Sequence, residues 1–87
     1  MKTGNIELTS AWTLIATGPQ DAFSFEPSKE GKYTSLQVAI AASMPAANLR
    51  GHPIEELRGA DLAAGENLYA RASGQRALMI ITYTQPS

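Results

Sequence analysis

Gly65-Glu66-Asn67-Leu68-Tyr69-Ala70-Arg71-Ala72-Ser73-Gly74-Gln75, running into Arg76-Ala77-Leu78-Met79-Ile80-Ile81-Thr82-Tyr83-Thr84, is the stretch whose reading decides the fold. In its first half Leu68, Ala70 and Ala72 alternate with Tyr69 and Arg71, the period of two that a half-buried strand imposes on its side chains. Gly65-Glu66-Asn67 reads as the turn into that strand, and Ser73-Gly74-Gln75 as a tight hairpin connection out of it. In the second half Leu78 and Ile80 share one face while Met79, Ile81 and Tyr83 share the other. A strand apolar on both faces calls for cover on both sides.

The same period recurs upstream. Ile6, Leu8, Trp12, Leu14 and Ala16 fall on even positions, which places Trp12 inside with Ile6 and Leu14, and Ser10-Ala11 marks a bend or bulge. Gly18-Pro19-Gln20-Asp21 carries turn chemistry. Phe23 and Phe25 alternate with Ser24 and Glu26 as a short strand before Pro27, and residues 27–32 read as a hairpin loop. From Tyr33 to Met44 the large residues Leu36, Val38, Ile40 and Met44 form one face. Gln37, Ala39, Ala41 and Ser43 form a second, small and nearly flat, which a second sheet or chain can approach closely. Pro45 ends that strand.

Residues 46–66 are the least regular. They read as extended structure and loops with a short strand near His52–Glu55; the alternative is one helical turn within 53–64, begun by Pro53 and opposed by Gly59. The pattern as a whole is all-β: a small β-sandwich or jelly-roll-like double sheet of six or seven short strands, in a single domain over residues 1–87.

An 87-residue chain with no cysteine has neither disulfide nor thiolate–metal framework. A domain of this size buries only about 60–65% of its unfolded surface, so oligomerisation is the expected further source of stability. One neighbouring subunit is an economical cover for Met79, Ile81 and Tyr83; the alternative cover is the chain's own 46–66 segment. Seven basic and eight acidic residues are interspersed, for a net charge of −1. No basic stripe points to nucleic acid. The longest apolar run, Ala77–Ile81, falls far short of the about 20 residues a membrane span needs. Residues 1–5 lack the apolar core of a secretory signal, which predicts an intracellular product.

Catalytic chemistry finds little support. His52, in Arg50-Gly51-His52-Pro53, is the single histidine, and no Gly-x-Ser-x-Gly elbow provides it with a nucleophile. A lone histidine without cysteines makes a poor zinc site. Glu55, Glu56 and Asp61 lack the spacing of a calcium loop, and the seven glycines are too dispersed to cradle a phosphate. No catalytic residue, metal site or cofactor is expected. Tyr69 with Arg71 is the one aromatic–cation combination expected on the surface. Together with Tyr33 it raises the alternative of a small carbohydrate-binding module, because aromatic faces stack on sugar rings.

The order of elements resembles the small β-sandwich virion proteins of tailed bacteriophages, such as head-decoration, collar and fibre-associated proteins. The resemblance rests on Leu8-Thr9-Ser10-Ala11-Trp12, on Leu36-Gln37-Val38-Ala39-Ile40-Ala41 followed by Pro45, on Gly51-His52-Pro53, and on the run from Gly65 to Gly74 leading into the final strand. It implies a non-enzymatic virion component assembled in the host cytoplasm, acting by protein–protein contact as a symmetric oligomer, commonly a trimer, and with other virion proteins. The segment Glu55–Ala64 is long for that pattern. The residues assigned to such contacts are Met79, Ile81, Tyr83, Tyr69 and Arg71.

Overall fold

The computed structural model describes residues 2–28, 33, 35–54 and 56–83, without the side chains of Lys2, residues 20–23, Arg58, Ala60 and Tyr83. Eight strands are present among them: β1 (Lys2–Leu8), β2 (Thr13–Thr17), β3 (Gln20–Pro27), β4 (Leu36–Ala41), β5 (His52–Ile54), β6 (Arg58–Leu62), β7 (Asn67–Ala72) and β8 (Ala77–Tyr83). β1 pairs with β8, β2 with β7, β3 with β6 and β4 with β5, all antiparallel. This is the pairing of one long two-stranded ribbon whose tip is the β4–β5 loop. From Lys2↔Tyr83 to Gln20↔Leu62 one arm advances 18 residues (2 to 20) and the other 21 (83 to 62), so the ribbon keeps nearly constant register.

Wrapping the ribbon brings β3 against β8 and β4 against β7. Two four-stranded sheets result, in the orders β1-β8-β3-β6 and β2-β7-β4-β5. These are called below the β8 sheet and the β7 sheet. A double sheet of this connectivity is a jelly roll.

The architecture follows the alternating pattern, with three local differences. First, β7 and β8 do not pair: Ser73-Gly74-Gln75 crosses from one sheet to the other, where the spacing predicts a hairpin. β3 and β4 likewise lie in different sheets and do not pair, where the reading of 27–32 predicts a hairpin; residues 29–32 and 34 lie outside the described residues. Both short connections look like hairpin turns from sequence because a turn residue records a reversal, not the sheet in which the next strand lands. Second, β6 adds a strand within 46–66, and none of the described residues of 53–64 is helical. Pro53 sits in β5, opposite Gln37, on the outer strand of its sheet, where a missing N–H is tolerated.

Third, the strand expected from Tyr33 to Met44 is shorter, Leu36–Ala41, leaving Met44 in the following loop and Ile40 half-exposed at the strand's end.

All eight strands feed the core. Leu8, Phe25, Leu62, Ala77, Met79 and Ile81 enter it from the β8 sheet, and Ile15, Ala16, Leu36, Val38, Ile54, Leu68, Ala70 and Ala72 from the β7 sheet. Each large side chain buried there contributes about 1.5–3 kcal/mol. The even-number periodicity of the first arm breaks at a bulge: Leu14 faces Tyr69, but Ala16 faces Leu68, leaving Ile15 as the extra residue. One inserted residue switches the face of everything beyond it. Ile15 and Ala16 therefore both reach the core, while Leu14 lies on the outer face and is 48% exposed.

Candidate functional site

The outer face of the β7 sheet carries a second, smaller apolar cluster of Trp12, Tyr69 and Ala39, with Ala41 against it. Tyr69 alternates with the core residues Leu68 and Ala70, which turns it outward, and Ala39 lies opposite it in β4. Trp12, just before β2, joins them. The small flat face of β4 is thus covered, but by this chain.

What holds the cover is the β4–β5 loop, residues 42–51, tied down at five points. The Trp12 Nε1 donates to the Ala46 carbonyl at 3.2 Å. Arg71 donates from all three guanidinium nitrogens: Nε to Gln37 Oε1 at 3.2 Å, Nη1 to the Ala47 carbonyl at 2.6 Å and Nη2 to the Leu49 carbonyl at 2.6 Å. Gln37 Oε1 also accepts from the Gly51 N–H at 3.3 Å, and Asn67 Nδ2 donates to the Ala42 carbonyl at 3.1 Å. The guanidinium lies 4.5 Å from the Trp12 ring centroid, a cation–π geometry.

Gly51 is fixed by this packing, since a Cβ there would stand 2.6 Å from the Val38 carbonyl oxygen and 2.7 Å from the Trp12 ring. No other residue type allows the loop to come this close.

Beside the Trp12–Arg71 stack the loop leaves an open depression of about 280 Å³, floored by Trp12 and Arg71 and walled by Ser10, Ala11, Met44, Pro45 and Ala47. Met44 is 57% exposed and Leu49 44%. Leu14, on the outer face of β2 opposite Tyr69, is exposed as well; of the three only Met44 lines the depression. The volume falls just short of the about 300 Å³ at which small-molecule pockets begin, and suits a single inserted side chain. The arginine at its floor spends three of its five N–H donors on Gln37 and two loop carbonyls, all neutral acceptors, so it keeps its positive charge beside a lining that is otherwise mostly apolar.

The residues expected to make outward contacts are placed differently from the sequence reading. Met79 and Ile81 are completely buried and belong to the main core, so no neighbour can reach them. The half-buried outer face of β8 is the even one, Leu78 and Ile80. The local pattern is equally apolar on both sides; the pairing Ile6↔Met79, Leu8↔Ala77 and Phe25↔Ile81 selects the inner one. The side chain of Tyr83 lies outside the described residues. Tyr69 is only 5% exposed, and the ring that Arg71 covers is that of Trp12. Tyr33 has the guanidinium of Arg76 5.8 Å from its ring centroid. Tyr69 therefore does not present the exposed face that stacking on a sugar requires; Tyr33 is half-buried.

His52 is exposed on β5, and among the described residues no three His, Cys, Asp or Glu side chains converge. No helix of the described residues is long and apolar enough to cross a membrane. The sequence reading missed the β4–β5 loop as a functional element and the exposure of Met44, Leu49 and Leu14. A signal was present in the loop: Met44 just before Pro45 and Leu49 between Pro45 and Pro53, with no alternation to send them inward. No family model, no curated protein and no solved structure matches this chain.

Proposed function

We propose that this chain is a non-enzymatic structural protein of a bacteriophage virion, assembled in the host cytoplasm and acting by protein–protein contact through the outer face of the β7 sheet. The phage setting is supported by the sequence resemblance; the mode of action is supported by the Trp12 depression, lined by Met44, and by the exposed Leu14 and Leu49 of the same sheet and its loop. A hollow with exposed apolar side chains on the same side of the molecule is what an interface anchor needs: a partner's apolar side chain fills the hollow and the surrounding contacts exclude water. The Arg71 ties hold the loop in its bound shape beforehand, which lowers the ordering cost of association.

Virions of the phage that carries the gene, banded in a density gradient, are expected to contain the chain. The double variant Leu14→Asp/Met44→Asp keeps the wild-type circular dichroism spectrum, since both side chains project to solvent, and is lost from the band. Absence of the wild-type chain from purified virions overturns the virion role, and normal incorporation of the double variant overturns the contact face.

A further inference from the structure

The two sheets leave four strand edges: β1 and β6 on one, β2 and β5 on the other. An uncovered edge is a row of backbone donors and acceptors ready to pair, and proteins that stay apart blunt it with proline, bulges or short strands. Three edges here are blunted. β5 has three residues with Pro53 at its centre, β2 has five and is broken by the bulge at Ile15, and β6 has five, contains Gly59 and pairs irregularly with β3.

β1 differs. It runs seven residues, Lys2–Leu8, without proline, and its register with β8 is unbroken over all seven pairs.

The sequence of β1 also says which partner fits. In an antiparallel pair, residues directly opposite share a face, so an added copy of β1 must match core-side residues with core-side residues. Among the registers that do so, only the one centred on Asn5 pairs the whole strand. It sets Asn5 against Asn5, amide to amide, and Thr3 against Glu7, hydroxyl to carboxylate, on the outer face. On the core side it sets Ile6 against Gly4. Nothing lies within 4 Å of where a Gly4 Cβ would stand, so each copy offers open space where the other brings a half-buried isoleucine. No like charges oppose each other, and Glu7 is already neutralised by the Arg76 guanidinium of its own chain.

We propose that the chain pairs with a second copy of itself, β1 antiparallel to β1 about a two-fold axis at Asn5, joining two four-stranded sheets into one of eight. Such a pair closes at two copies and is a different contact from the commonly three-fold assembly that the family resemblance implies. It involves the other sheet from the Trp12 face and stands independently of the virion role.

A two-fold axis through one residue permits a charge-swap test by light scattering on the full chain. Wild type has twice the monomer mass at tens of micromolar. Asn5→Lys and Asn5→Asp, each placing like charges face to face, have the monomer mass, and their equimolar mixture returns to the dimer mass. Thermal melts verify that both fold. Because the chain has no native cysteine, Asn5→Cys provides a second readout: mild oxidation gives a disulfide-linked dimer, whereas Asp61→Cys on the β6 edge gives none above background. A wild-type chain that stays monomeric throughout, dimers unchanged in both charge variants, or equal cross-linking at positions 5 and 61 overturns the proposal. Dimers lost in Leu14→Asp/Met44→Asp but kept in the Asn5 variants overturn it too, moving the self-contact to the Trp12 face. A monomer that instead captures a peptide of another protein along β1 assigns the edge to that partner and also overturns the self-pairing.

Discussion

The two outer faces of this sandwich solve the same problem in opposite ways. On the β8 sheet the outward row is flat and largely polar: Thr3, Thr82 and Ser24 lie side by side, with the Thr3 and Thr82 hydroxyls 3.0 Å apart, and Asn5 and Glu26 flank Ile80. Nothing needs covering beyond the half-buried Leu78 and Ile80. On the β7 sheet the outward row includes Tyr69, Ala39 and, just outside the strand, Trp12, and a loop is folded over them to keep them dry. The first face needs no loop; the second uses one, and the loop's own apolar residues then reappear as exposed surface. Covering an apolar face with chain of modest length transfers the exposed apolar area to the cover.

The largest expected effect tests which face of β8 is inside. Ile81→Asp puts a carboxylate into the main core beside Phe25 with no partner, and an unpaired buried charge costs at least about 4–5 kcal/mol. Stability of a domain this size is of the order of 5 kcal/mol, so the variant is expected to be unfolded by circular dichroism at 25 °C. Ile80→Asp, one residue away on the polar face, remains folded. A folded Ile81→Asp and an unfolded Ile80→Asp would invert the assignment.

The second effect contrasts two arginines that both lie over aromatic rings. Arg71 is half-buried and makes three hydrogen bonds, two of them to carbonyls of the loop and one to Gln37 of β4; Arg76 lies in an exposed pair with Glu7, and both side chains of that pair keep nearly half their surface in water. Arg71→Ala strips two loop carbonyls of their donor and is expected to cost about 2–3 kcal/mol in urea unfolding. Arg76→Ala is expected to cost no more than about 1 kcal/mol, as exposed ion pairs do. Arg71→Lys recovers only part of the loss, because one ammonium cannot reproduce the three-way fork. Equal costs for the two alanine variants would mean that the loop is held by Trp12 and its neighbours alone.

The same contrast explains how much was legible beforehand. The alternation in 67–72 and 36–41 gave the strands and their inner residues, because a period of two is local and survives in any sheet. The face of β8 was not legible, since Leu78–Ile80 and Met79–Ile81 are equivalent until β1 and β3 pair with them. Leu14 misled because one bulged residue, Ile15, reverses the phase without leaving a sequence mark. Trp12 was correctly read as buried but assigned to the wrong core. Its burial comes from the loop, and the loop is held by Arg71, 59 residues further on (12 to 71), a pairing that only the wrapped ribbon creates.

The smallest effect isolates the indole donor. Trp12→Phe keeps an aromatic ring between Arg71 and Gly51 but leaves the Ala46 carbonyl without the Nε1–H, and a single such hydrogen bond is worth about 1 kcal/mol. The ring is also smaller, which gives the Arg71 stack a weaker quadrupole to sit on. Because Arg71 still holds residues 47 and 49, the loop stays in place and the loss does not spread. The expected result is a stability loss of about 1–1.5 kcal/mol with Met44 and the depression still in place for contact. In the double variant Trp12→Phe/Arg71→Ala the cost falls short of the sum of the two single costs, since the stacking contact between the two side chains is weakened in either single variant and is counted twice in that sum. Strict additivity would show that the two ties act separately and that the stacking contact contributes nothing measurable.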